Sequence, residues 1–135
     1  MMRRALAVAV VVLLLLGAAC ATRRPRVGPP SPPSFPVVGL ASWYGPGFHG
    51  RKTASGERFD QDGLTAAHCC WPFGIRLKVT LLSTGKSVVV RLNDRMPHNR
   101  KGRILDLSRG AARRIGLIGP GTGRVRIEEV VSHES

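Results

Sequence analysis

A chain of 135 residues with a formal net charge of +13 has room for one small domain and is drawn to polyanions. Aromatic residues make up 5% of it and do not interleave with the scattered arginines, which argues against a base-stacking nucleic-acid surface. The first predicted element is a leader. Residues 1–19 carry Arg3 and Arg4, an uncharged run from Ala5 to Leu16, and then Gly17, Ala18 and Ala19. These are the basic, apolar and small-residue regions of a secretory signal peptide, and the apolar run is too short to favour a stable spanning helix.

Small residues ending at Cys20 resemble a bacterial lipobox, in which cleavage before the cysteine leaves a thiol that receives diacylglycerol and an amine that is acylated. Ordinary secretion with a free Cys20 is the other reading. Residues 20–37 then form a Pro- and Arg-rich linker with Pro25, Pro29, Pro30, Pro32, Pro33 and Pro36, a composition that gives a disordered but semi-rigid spacer. The folded domain is expected over residues 38–131, with residues 132–135 as a tail. An exported chain of this charge meets anionic lipid headgroups and wall carboxylates or phosphates before it meets nucleic acid, so no nucleic-acid partner is expected.

Within the folded segment, Leu40 to Tyr44 reads as a strand ended by Gly45, Pro46 and Gly47. A long polar loop runs to Asp62, and loops of that length in small domains often carry binding or catalytic residues. Leu64 to His68 reads as one short helical turn. Arg76 to Leu82 and Lys86 to Leu92 are β-branched-rich runs joined at Ser83, Thr84 and Gly85, which predicts a hairpin. Arg103 to Asp106 reads as a brief strand. A helix follows, with Ser108 as N-cap, Leu107, Ala111, Ala112 and Ile115 on its apolar side and Gly116 as a left-handed stop. Arg124 to Val131 alternates as the last strand. So many short strands in so small a domain favour a closed β structure with one helix, because an open sheet would leave edges exposed.

The chemistry is carried by few residues. His49, His68, His98 and His133 lie at irregular spacings and the cysteines show no paired zinc pattern, so neither a metal nor a cofactor is expected. A serine-nucleophile elbow and a phosphate-cradling glycine loop are both missing from the sequence. What remains is Glu57, Asp60, His68 and Asp94. Alternation along Val88 to Asp94 puts Val88, Val90, Leu92 and Asp94 on one face and Val89, Arg91 and Asn93 on the other, with Arg95 continuing the second. A carboxyl at the rim of an apolar stripe is expected to have a raised pKa, as a general acid needs; an Asn-Asp pair ahead of Pro97 also reads as a plain turn. Adjacent Cys69 and Cys70 read either as a vicinal disulfide or as two free thiols packed beside Trp71.

Six stretches in order, Ala41-Ser42-Trp43-Tyr44-Gly45, Thr53 to Asp60, Leu64 to His68, Pro72-Phe73-Gly74, Val88 to Arg95 and Ile104 to Ser108, resemble the rare lipoprotein A family. The resemblance departs at Cys69-Cys70 and at Met96, where family members commonly have glycine. It implies an all-β fold, a six-stranded double-psi β-barrel with one or two short helices, related to expansins and family 45 endoglucanases. It also implies an endolytic peptidoglycan lytic transglycosylase that cuts the MurNAc-GlcNAc bond of peptide-poor glycan strands and leaves 1,6-anhydro-MurNAc ends. By position, Asp94 and Glu57 are the implied catalytic residues and Asp60, His68, Asn93 and Arg95 the substrate-binding ones. Trp43 or Tyr44 offers a stacking surface, with a core position equally open to Trp43. The expected protein is a monomeric lipoprotein of the bacterial cell envelope, anchored at Cys20 and without the repeat-type domain through which many members bind stripped glycan. Two other readings compete: a non-catalytic expansin-like glycan-binding module, and a basic lipoprotein that bridges membrane and wall by charge.

Overall fold

The structure is a computed structural model that describes residues 34–98 and 100–132; the expected signal peptide, the expected lipidation at Cys20 and most of the expected linker lie outside the described residues. Strands β1 (Val37–Tyr44), β2 (Thr65–Ala67), β3 (Arg76–Leu81), β4 (Ser87–Asp94), β5 (Arg103–Ser108) and β6 (Thr122–Glu129) close into a barrel in the order β1-β5-β2-β4-β3-β6. β1 runs parallel to β5 and β2 parallel to β4, while the other neighbours are antiparallel. This is the expected double-psi barrel, with one α-helix among the described residues, α1 (Arg109–Ile115).

Three strands follow their period-2 pattern directly. Leu77, Val79 and Leu81 of β3, Val88, Val90 and Leu92 of β4, and Val125 and Ile127 of β6 are buried in one core, with charged neighbours such as Lys78 and Arg91 turned outward. Each inward leucine or isoleucine stabilises the fold by about 1.5–3 kcal/mol relative to an exposed position. Helix α1 closes one side: Ser108 Oγ accepts the Ala111 N–H at 3.2 Å, Gly116 ends the helix at φ 83°, and Ala111, Ala112 and Ile115 join the core.

Two expectations need correction. Leu64 to His68 does not form a helical turn; Thr65–Ala67 is the strand β2, buried throughout and hydrogen-bonded between β4 and β5. Three small side chains fit where a strand is covered on both sides, and the pairing of two neighbours outweighs the helix preference of alanine. The second concerns the end of β4. Ala66 pairs with Leu92 but Ala67 pairs with Asp94, so Asn93 is an extra residue that breaks the alternation. Asn93, expected on the outer face, is therefore only 2% exposed, next to a fully buried Leu92, and Asp94 is set by a bulge rather than by the apolar stripe.

Candidate active site

The polar loop after β1 is a tight hairpin. Phe59 donates its N–H to Arg51 O at 2.8 Å, Gly50 returns one to Phe59 O at 2.8 Å, and the tip closes with Thr53 N–H on Glu57 O at 2.8 Å. Three contacts dock this tip on the end of β4. Ser55 N–H donates to Asn93 O at 3.2 Å, Ala54 N–H donates to Asp94 Oδ1 at 2.9 Å, and Arg91 holds Glu57 bidentately, Nη1 to Oε1 at 2.6 Å and Nη2 to Oε2 at 3.1 Å.

Asp94 sits at the centre of this arrangement. Its Oδ1 accepts both the Ala54 N–H and the Arg95 N–H, the latter at 2.8 Å, while Oδ2 faces the Tyr44 hydroxyl at 3.3 Å. The oxygens are met by donors, not by the apolar rim that strand alternation suggested. One oxygen is thus fixed by the backbone and the other is left beside a hydroxyl. Tyr44 stacks on Phe59, with ring centroids 4.5 Å apart and planes 17° apart, which fixes the ring that carries the hydroxyl. Burial first, then the charge of Asp94, the hydrogen bond to it and the charge of Asp106 push the Tyr44 hydroxyl well above its ordinary pKa, so it stays protonated and can donate. Trp43 is half-buried against the core, the structural alternative open to it from sequence.

Glu57 lies beside this centre. The hydrogen bonds from Arg91 and, second, from Asn93 hold its carboxyl below the ordinary value, with the Arg91 charge adding to them. An ionised, arginine-bound carboxylate suits placement of a substrate better than proton delivery. Asn93 supports Glu57 from the buried side. Among the described residues its Oδ1 has no hydrogen-bond partner.

His68, on the loop after β2, is 7% exposed. Its Nδ1 accepts the Cys70 N–H at 3.0 Å and the Trp71 N–H at 3.1 Å, which leaves Nε2 to carry the proton of the neutral ring. Trp71 covers that ring in parallel at 3.7 Å between centroids. Burial, then the charges of Arg95 and His98, lower its pKa to about 4. The His68 N–H donates to Asp94 O at 3.2 Å, so the loop and the carboxylate residue are joined through the main chain. Arg95 reinforces the joint: Nη1 donates to Trp71 O at 2.8 Å and its guanidinium lies 3.8 Å over the Phe73 ring. Its side chain braces this loop while remaining exposed at the site. Asp60 is committed elsewhere, since its Oδ1 closes its own turn on the Asp62 N–H at 2.9 Å.

The structure therefore brings Asp94, Tyr44, His68 and Arg95 together, sets the Glu57, Arg91 and Asn93 cluster against them, and leaves Asp60 in a turn. Sequence reasoning missed Arg91 as the partner of Glu57 and Tyr44 as the partner of Asp94. The Tyr44 residue lies 50 positions from Asp94, and only its place at the end of an apolar strand hinted at a rim position.

The closed double-psi barrel defines the class of fold. The profile of the lytic transglycolase family matches residues 37–127, and the chain belongs to that family. Over 92 residues it is 62% identical to the probable endolytic peptidoglycan transglycosylase RlpA of Synechocystis sp., a match covering 68% of this chain and 28% of that protein. It is 53% identical over 92 residues to the endolytic peptidoglycan transglycosylase RlpA of Campylobacter jejuni, covering 68% of this chain and 33% of that one. The corresponding Neisseria meningitidis serogroup A protein is 48% identical over 101 residues, covering 75% and 42%. The chain thus spans less than half the length of these relatives. Two solved structures share the fold: a Streptomyces papain inhibitor, with a TM-score of 0.58 at 18% identity over 73% of this chain and 96% of that one, and the Clavibacter michiganensis expansin, with 0.56 at 23% identity over 75% and 53%.

Proposed function

We propose that this chain is an endolytic peptidoglycan lytic transglycosylase that cuts the MurNAc-GlcNAc bond of glycan strands and leaves 1,6-anhydro-MurNAc ends. The observation that carries the reading is the split environment of Asp94, one oxygen held by two amides and the other beside the Tyr44 hydroxyl, in a member of the lytic transglycolase family. Cleavage of a glycosidic bond needs a proton on the leaving oxygen and passes through an oxocarbenium-like transition state. In its protonated form Asp94 gives the Oδ2 proton to the leaving oxygen as the bond to the anomeric carbon breaks. The 6-hydroxyl of the same MurNAc then attacks that carbon and returns its proton to Asp94. No water is consumed, so a single carboxyl serves as acid and then as base.

Tyr44 orients Oδ2, Glu57 with Arg91 offers charge for sugar hydroxyls, and His68 with Arg95 braces the far side. Tyr44→Phe removes one hydrogen bond of about 1 kcal/mol and is expected to lower turnover about 5- to 10-fold with little change in substrate affinity. Single-turnover kinetics check it. The test of the activity itself is mass spectrometry of peptide-free glycan strands incubated with the chain. New fragments lighter by one water than hydrolysis products support the proposal, and unchanged strands contradict it.

The envelope location that such a substrate requires fits a lipid anchor at Cys20 followed by the Pro-rich spacer, with the barrel acting as a monomer. The anchor makes a separate prediction: Cys20→Ser protein leaves the membrane fraction in a high-salt wash, whereas the parent chain stays. Equal retention of both places the anchor elsewhere.

A further inference from the structure

The family chemistry leaves one cluster unused. Cys69 and Cys70 follow β2, His98 follows β4, and the fold sets them against each other on one rim of a cleft of about 280 Å³. The two sulfurs are joined as a vicinal disulfide, which is the first of the two states open to them from sequence. His98 Nδ1 lies 3.2 Å from Cys69 Sγ and 3.6 Å from Cys70 Sγ. We propose that Cys69, Cys70 and His98 form a redox-gated site for a thiophilic d10 cation such as Zn(II), closed while the sulfurs are joined and opened by a dithiol reductant.

The geometry argues for it in two ways. First, sulfur and nitrogen ligands of a tetrahedral zinc ion, at their usual bond lengths, stand about 3.6 Å apart, close to the spacing that His98 Nδ1 already holds to both sulfurs. Only the sulfurs must separate, to about 3.8 Å for two thiolates on one ion. Cys70 and His98 are exposed, so the separation meets solvent rather than core, and a water fills the fourth position. Second, the loop that carries the cysteines is braced independently of the disulfide. His68 Nδ1 accepts the Cys70 and Trp71 amides, and Arg95 holds Trp71 O, so reduction leaves the ligand backbone in place. Those same amides occupy His68 Nδ1 and keep it out of the ligand set. Two thiolates neutralise a divalent ion.

A dithiol passes two electrons and two protons to the Cys69–Cys70 bond and becomes a disulfide, leaving two thiols; the incoming cation then displaces both thiol protons. A disulfide of higher potential takes two electrons and two protons back by thiol–disulfide exchange, becoming a dithiol, and the Cys69–Cys70 bond closes with loss of the cation. The site depends on neither the glycan activity nor the anchor.

The test uses the full chain carrying Cys20→Ser, so that only the vicinal pair is read. Zn(II) is titrated by calorimetry into the chain reduced with a phosphine, which is then removed under nitrogen, and into the same chain left oxidised. The expected result is one ion bound per reduced chain with release of protons, none by the oxidised chain, and protection of both thiols from alkylation. His98→Ala should weaken binding about 10-fold or more, and Cys70→Ser should abolish it. The oxidised and reduced arms share one polypeptide, so that comparison does not depend on any variant folding. Equal zinc uptake in both redox states, no uptake by the reduced chain, or full affinity in His98→Ala overturns the proposal.

Discussion

Asp94→Asn is expected to lower release of anhydro-ended glycan by about 10²-fold or more while the melting temperature stays nearly unchanged. The substitution is informative because Asp94 has a structural duty as well as a chemical one. Its Oδ1 pins the Ala54 and Arg95 amides, and with them the hairpin tip that carries Glu57. Asparagine keeps an oxygen for those two donors, and its amide faces a Tyr44 hydroxyl free to turn and accept. Only the transferable proton is lost. Asp94→Ala, by contrast, frees the tip and confounds chemistry with folding. Near-parental product release from an Asp94→Asn protein that melts normally would make Asp94 a turn residue and nothing more.

The second large effect is on stability and its dependence on pH. His68 is neutral in the fold, with a pKa of about 4 against 6.5 for the ordinary group, because burial and then the charges of Arg95 and His98 oppose protonation. A histidine depressed in this way contributes stability that is fully present above pH 6.5 and is lost as pH falls toward 4, since the unfolded chain takes the proton first. The loss should reach about 3 kcal/mol by the lower limit. Glu57, also lowered, loses its contribution only below its ordinary value of 4.5, so the two windows separate. Chemical denaturation at a series of pH values checks the expectation. In His68→Gln the decline between pH 6.5 and 4 should largely disappear, at the cost of lower stability near neutrality. A parent-like decline in that variant would assign the effect to another group.

The barrel was legible where side chains alternate over five residues or more, as in β3, β4 and β6, and at α1, where Ser108 and Gly116 mark both ends. β2 was not legible. Three residues are too few to display a period, and Thr65, Ala66 and Ala67 owe their conformation to strands on either side. Asp94 was found by its family position, but its surroundings were misread because the extra residue at Asn93 resets the register that alternation assumes. Pairings across the fold were hidden for a simpler reason. Arg91 is 34 residues from Glu57 and His98 is 28 from Cys70, and no spacing rule links such partners before the barrel closes. The contacts of Arg95 with Trp71 O and the Phe73 ring were hidden in the same way, because they form only once the loops after β2 and β4 meet.

In the proposed reaction Asp94 moves a proton from the 6-hydroxyl to the leaving oxygen, by way of its own carboxyl, without drawing on solvent. Running the reaction on peptide-free glycan strands in water enriched in oxygen-18 tests this most directly. The expected result is new chain ends that carry the anhydro mass and no label. Labelled reducing ends would mean that water attacks, that a second carboxylate must activate it, and that the single-carboxyl mechanism built on Asp94 is wrong.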